Sequence, residues 1–268
     1  LEEKDMTDLF AFGSAAASLD GEDRYGTTGD MKKTQYVMQL LGFPGNAETL
    51  KCLLTAGEKG IEVESGVLDM TQGQQASEDY LKISPFGLVP ALKEANYTVA
   101  GDAGVVCFIE GRGLGNRLAP RNAALLAEQM YWIDIAYSNV APYVETLMHE
   151  QVLGQITDPN YKTDITAVEE ARSALIAPLE AIDAQLAGKN FIVGQYSYAD
   201  IHWTAYIHLL LLAGEYVQVD QRRNLKSWLE RVKTHKSFSG QDLVAYDLLP
   251  SIDDIKQKRL NDVVCGEF

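Results

Sequence analysis

One segment, Ile83-Ser84-Pro85-Phe86-Gly87-Leu88-Val89-Pro90-Ala91-Leu92, limits the folds open to this chain more than any other stretch. A turn signal, Ser84-Pro85-Phe86-Gly87, runs into an apolar stretch that contains a proline. Proline has no N–H to give to a sheet ladder, so Pro90 belongs at the start or edge of a strand. After a glycine-containing turn, at the mouth of a strand, it is a natural cis site. A cis bond there would turn the Val89 backbone N–H and C=O outward, ready to hold an extended peptide as an added strand.

Composition narrows the class of function. The formal net charge is −15 and the isoelectric point is near 4.7, which argues against nucleic acid or an anionic membrane as partner. The cysteines Cys52, Cys107 and Cys265 are odd in number and lack Cys-x-x-Cys spacing, which fits a reducing compartment. The histidines are scattered, so no metal site is expected. No apolar run reaches the length of a membrane span. The chain begins at Leu1, without a secretory apolar core, and the expected location is cytoplasmic, or an organellar stroma or matrix after removal of a transit peptide.

The pattern along the chain has four parts. Residues 1–34 lack a sustained period and read as an N-terminal extension, with one helical turn at Met6–Phe12 and a role in packing on the chain itself or on a protein partner. Residues 35–112 read as mixed α/β. Tyr36–Leu41 is a strand, Ala47–Glu58 a helix ended by Gly60, Ile61–Leu68 a strand and Gln75–Leu81 a short helix. Pro90–Lys93 and Tyr97–Val99 form a hairpin, and Asp102–Glu110 a third helix. A glycine-rich linker, Gly111–Asn116, leads to an all-helical part at 117–250. There Leu126, Met130, Ile133, Tyr137, Val140, Val144 and Leu147 mark one face of a long helix that Pro142 should bend or break. Val168, Ala171, Leu175, Leu179, Ile182 and Leu186 mark a second, and residues 251–268 read as a polar tail.

A second motif lies in the helical part: Phe191-Ile192-Val193-Gly194-Gln195-Tyr196-Ser197-Tyr198-Ala199-Asp200-Ile201. Ser197 and Asp200 have the spacing of a capping box, with Tyr196 and Ile201 placed as a hydrophobic staple. This starts a buried helix over Tyr198–Leu212. The two motifs, in this order, resemble those of the glutathione S-transferase superfamily. The resemblance implies a thioredoxin-like α/β domain at 35–112 that binds glutathione, followed by the all-helical domain.

The resemblance also implies where glutathione would lie. Val89 and Pro90 would clamp its peptide. The start of the first helix, Pro44-Gly45-Asn46-Ala47-Glu48-Thr49, is similar to the Asn-type nu and fungal prion-related classes, which makes Asn46 the residue that contacts the thiol. An alignment through Leu50-Lys51 resembles bacterial β-aryl etherases instead and puts Thr49 there. Glu48 adds negative charge near a thiolate. At the third helix, Ala100 and Gly101 stand where the family usually has an acid and a serine. The γ-glutamyl end is then left to Gly101 and Asp102, and binding is expected to be weak. Tyr131, Tyr137, Ser138 and Asn139, on the long helix, are candidates to meet a second substrate. The implied function is attack of the glutathione thiolate on a small hydrophobic electrophile or an ether, by a possible homodimer without metal. The alternative is a non-catalytic interaction or scaffold subunit with a degraded glutathione site.

Overall fold

The computed structural model describes residues 38–43, 45–113, 117–158 and 160–238. The expected extension at 1–34, with its Met6–Phe12 turn, and the tail at 251–268 lie outside them. The first unit runs β1 (Met38–Gly42), α1 (Ala47–Lys59), β2 (Val63–Val67), α2 (Glu78–Ile83), β3 (Ala91–Glu94), β4 (Tyr97–Ala100) and α3 (Asp102–Arg112). The sheet order is β2-β1-β3-β4. β1 and β2 are parallel, whereas β3 runs antiparallel to both β1 and β4. Leu40 and Leu92 pair across the central strands and are buried, so the register places leucine on leucine beneath the helices.

Pro90 sits immediately before β3, and its bond to Val89 is cis. Several bonds fix this corner. The Tyr80 hydroxyl donates to the Leu88 carbonyl at 2.6 Å, the Gly87 N–H donates to Ser84 O at 2.8 Å, and the Gly101 N–H donates to Pro90 O at 2.8 Å. Gly87 has φ +66°, and a Cβ there would lie 3.1 Å from the Gln75 carbonyl, so this turn requires glycine. Among the described residues the Val89 backbone N–H and C=O have no hydrogen-bond partner.

The helical unit comprises α4 (Ala123–Ile135), α5 (Ala141–Met148), α6 (Gly154–Thr157), α7 (Ile165–Gln185), α8 (Tyr198–Leu212), α9 (Tyr216–Asp220) and α10 (Arg223–Lys233). The expected long helix is interrupted by a π-helical turn at Ala136–Val140, and Pro142 lies in the first turn of α5. A proline is tolerated there because first-turn N–H groups have no helical partner. The expected stripe is only partly buried: Ile133, Val140, Val144 and Leu147 are inside, but Leu126 and Met130 are 39 % and 54 % exposed. The buried face of α4 turns through Gln129, Trp132 and Ile133 instead. The second stripe, on α7, is buried at all six of its positions.

α8 is the axis of the molecule. It packs on α4 and α5 within its own unit and on α1 across the domain junction. Its start is the expected capping box, and Asp200 accepts there from the Ser197 N–H and hydroxyl, both at 3.0 Å. The same carboxylate accepts from the Ile192 N–H at 3.0 Å and the Trp228 indole at 2.9 Å, which ties the preceding loop and α10 to α8. Ile201 is buried, while the Tyr196 ring stacks on His235 at 3.8 Å.

Burial pushes the Asp200 carboxyl up to about 6, against the pull of its four donors. Its folded pKa lies above the unfolded value near 4, so protonation favours the folded state as pH falls through that window. We therefore expect Asp200→Asn to cost about 2–3 kcal/mol at pH 8, because an amide N–H would face donors. The gap to wild type should widen as pH falls from about 6 to 4, since only wild type gains from protonation. Urea denaturation of both proteins across this range would measure it, and a pH-independent gap would refute the shift.

Candidate active site

The N-terminus of α1 is built by Asn46. Its Oδ1 accepts from the Thr49 N–H at 2.9 Å and the Thr49 hydroxyl at 3.0 Å, so it caps the helix. Its Nδ2 donates to Glu48 at 2.7 Å. With the oxygen turned to the helix, the Asn46 amide nitrogen stands on the other side, at the positive end of a thirteen-residue helix. Thr49, the other candidate, is buried, and its hydroxyl also accepts from the Phe43 N–H at 3.1 Å. It faces the end of β1, where a Cβ on Gly42 would collide with it.

Behind Asn46 lies a residue that the sequence reading did not single out. Lys51 is fully buried, and its Nζ donates to Glu48 at 3.2 Å, to Asp102 at 3.2 Å and to the Tyr206 hydroxyl at 2.9 Å. The ammonium also sits 4.2 Å from the Tyr137 ring centroid and 4.5 Å from that of Tyr206. Tyr137 donates a short hydrogen bond to Asp102, and the Tyr206 hydroxyl reaches Glu48 at 3.3 Å. One cation thus binds carboxylates from the starts of α1 and α3 and phenols from the helical unit. The local signal was a Glu48–Lys51 pair three residues apart, which is usually a surface feature.

The protonation states follow from this geometry. Burial pushes Asp102 up, but Lys51, the Tyr137 hydroxyl and His202 together hold it below the usual carboxylate range. Burial, then the Asp102 bond, pushes Tyr137 up, and burial does the same to Tyr206, so both remain neutral donors. Burial and Lys51 bring His202 down to about 4, and its Nδ1–H donates to the Tyr198 carbonyl at 2.8 Å. Burial pushes the Cys52 thiol well up, which leaves it inert as a nucleophile. Glu48, expected to oppose a nearby thiolate, is compensated by donors from Asn46, Lys51 and Tyr206.

The start of α3 differs from expectation in one useful way. Gly101 caps it with φ +84°, and a Cβ there would come within 3.3 Å of Leu88. A serine at 101 would be strained, so the glycine is a backbone requirement and not simply a missing hydroxyl. Asp102 is the first helical residue, and its carboxylate turns to Lys51 and Tyr137. The first-turn N–H groups of α3 therefore carry no side-chain cap.

A cavity of about 550 Å³ opens beside Asn46, between the two units. Phe43, Met70, Met148 and Leu209 give it apolar walls, while Glu48, Glu145 and His149 are among its polar side chains. None of the residues expected to meet a second substrate is in this lining. Tyr131, Ser138 and Asn139 are exposed and do not line this cavity, and Tyr137 is committed to Asp102. The lining on the helical side includes α5 and the π-helical turn His149–Leu153, further along the chain. Among the described residues no cluster of three metal-ligating side chains occurs, and no helix is long and apolar enough to cross a membrane.

Replacing Lys51 by alanine would leave the carboxylates of Asp102 and Glu48 without their cation in a partly buried site. A loss of about 3–5 kcal/mol in unfolding free energy is expected, with a smaller loss for the triple variant Lys51→Met, Glu48→Gln, Asp102→Asn. Equal stability of wild type and Lys51→Ala in guanidinium denaturation would refute the role given to the network.

Residues 36–100 match the family profile described as "Glutathione S-transferase, N-terminal domain", and residues 136–235 match "Glutathione S-transferase, C-terminal domain". The chain is 25% identical over 226 residues to "Glutathione S-transferase 3" of Zea mays, covering 80% of this chain and 96% of that protein. It is 22% identical over 196 residues to "Glutathione S-transferase F10" of Arabidopsis thaliana, covering 72% of this chain and 90% of the relative. The crystal structure of glutathione transferase F7 from Populus trichocarpa superposes with a TM-score of 0.69 at 22% identity, over 78% of this chain and 99% of that one.

Proposed function

The chain belongs to the glutathione S-transferase superfamily, and from that premise we propose that it joins glutathione to a small apolar electrophile. One observation carries the reading: the Asn46 amide caps the positive end of α1 beside a cavity with apolar walls, large enough for a second substrate. The Val89 backbone would pair with the peptide of glutathione. The uncapped N–H groups at the start of α3 suit its γ-glutamyl carboxylate, and Asp102, 15 % exposed, suits its ammonium. The thiol loses its proton to water, and the Asn46 amide and the α1 dipole stabilise the thiolate. Sulfur then bonds to the electrophilic carbon as the leaving group departs with its electron pair.

Among the described residues at the start of α3 the acid is Asp102, which already serves Lys51 and Tyr137. Glutathione binding is therefore expected to be weak. The exposed Phe86, Tyr97, Met130 and Tyr131 support association with a second copy of the chain.

The test is Asn46→Ala, assayed for conjugation of 1-chloro-2,4-dinitrobenzene and for glutathione binding by calorimetry. A donor aimed at the thiolate acts where charge resides during attack, so kcat/KM should fall about 10- to 1000-fold while Kd changes less than about threefold. Unchanged turnover would remove Asn46 from the chemistry. A chain that binds no glutathione and conjugates nothing would be a scaffold of the same fold.

A further inference from the structure

We propose that the cavity beside Asn46 discriminates by charge: it admits neutral and cationic apolar electrophiles and excludes anionic ones, with Glu145 as the specificity-determining side chain. The identity of the co-substrate rests on the transferase reading above; the charge preference of the cavity does not. Among the described residues its lining carries two carboxylates, Glu48 and Glu145, and His149, with neither lysine nor arginine. Lys51, bonded to the lining residue Glu48 and to Asp102, is fully buried, so it is not available to an anionic substrate.

The two carboxylates differ in what they can do. Glu48 is held by Asn46, Lys51 and Tyr206. Glu145, on α5, lines the cavity from the helical unit and is exposed, and its carboxylate has no hydrogen bond or ion pair among the described residues. Burial, then the charge of Glu48, raises the pKa of its carboxyl, with Lys51 offsetting part of the effect. An ionised Glu145 therefore lacks a counter-charge, which a cationic substrate would supply and an anionic one would worsen. The apolar walls require the rest of the substrate to be hydrophobic, and the two methionines, Met70 and Met148, adapt to its shape. A bound glutathione adds its own thiolate to the same side of the balance.

Two assays separate this proposal from the transferase reading. The first compares kcat/KM at pH 8 for neutral 1-chloro-2,4-dinitrobenzene, anionic 4-chloro-3-nitrobenzoate and a cationic trimethylammonium analogue. Each value is divided by the uncatalysed rate with glutathione. At an effective dielectric constant near 40, a unit charge about 8 Å away changes the rate about fivefold. Wild type should favour the cation over the anion by at least that factor. Glu145→Gln should remove most of the preference, Glu145→Lys should reverse it, and added salt should weaken it. The second assay needs no catalysis: it measures equilibrium binding of anilinonaphthalene sulfonate and of a cationic styryl dye of similar size to the same three proteins.

Conjugation without charge preference, or with a preference that neither Glu145 variant alters, would overturn the proposal and leave the transferase reading standing. Dye selectivity that follows residue 145 in a chain without conjugating activity would uphold the charge preference and sink the transferase reading. If both dyes bind equally in all three proteins and no conjugation occurs, both readings fail.

Discussion

The domain junction depends on the fully buried cation of Lys51. Lys51 lies on a helix that is buried on nearly every side, and its ammonium is removed from water entirely. Such a charge is tolerable only with full compensation. Two carboxylates and a phenol meet it directly, and two aromatic faces flank it. The compensating groups come from the start of α1, the start of α3, the π-helical turn after α4 and the middle of α8. Four parts of the chain therefore have to arrive together for the ammonium to be satisfied, and those parts surround the candidate active site.

The same contacts orient the side chains around the site. Asn46 is oriented by Thr49 on one side and Glu48 on the other. Glu48 is fixed by Lys51, and Lys51 is fixed by Asp102 and Tyr206. A second junction reinforces the first: Glu58, near the end of α1, is buried against His235, Lys236 and Ser237. The two ends of α1 are thus tied to the helical unit by polar contacts, with apolar packing on α8 between them. A network that is complete in this way favours one arrangement of the domains, because a shift would strand a buried charge.

The sequence by itself determined the local plan. The proline at the mouth of β3, the helix start at Asn46 and the capping box at Ser197 are each decided by neighbouring residues, so their chemistry can be read directly. The apolar stripe of α7 was legible for the same reason, since all its members face one way. Only the tertiary structure decided which stripes are truly inside. Leu126 and Met130 continue the period of α4 yet remain exposed, because the π-helical turn after Ile135 shifts the phase of the face that meets α8. The cavity beside Asn46 is likewise lined by Glu145, Met148 and His149 and not by Ser138 or Asn139. Lys51 is the clearest case: its partners Asp102 and Tyr206 are 51 and 155 residues away in the chain, and no local pattern specifies a charge pair that distant in sequence.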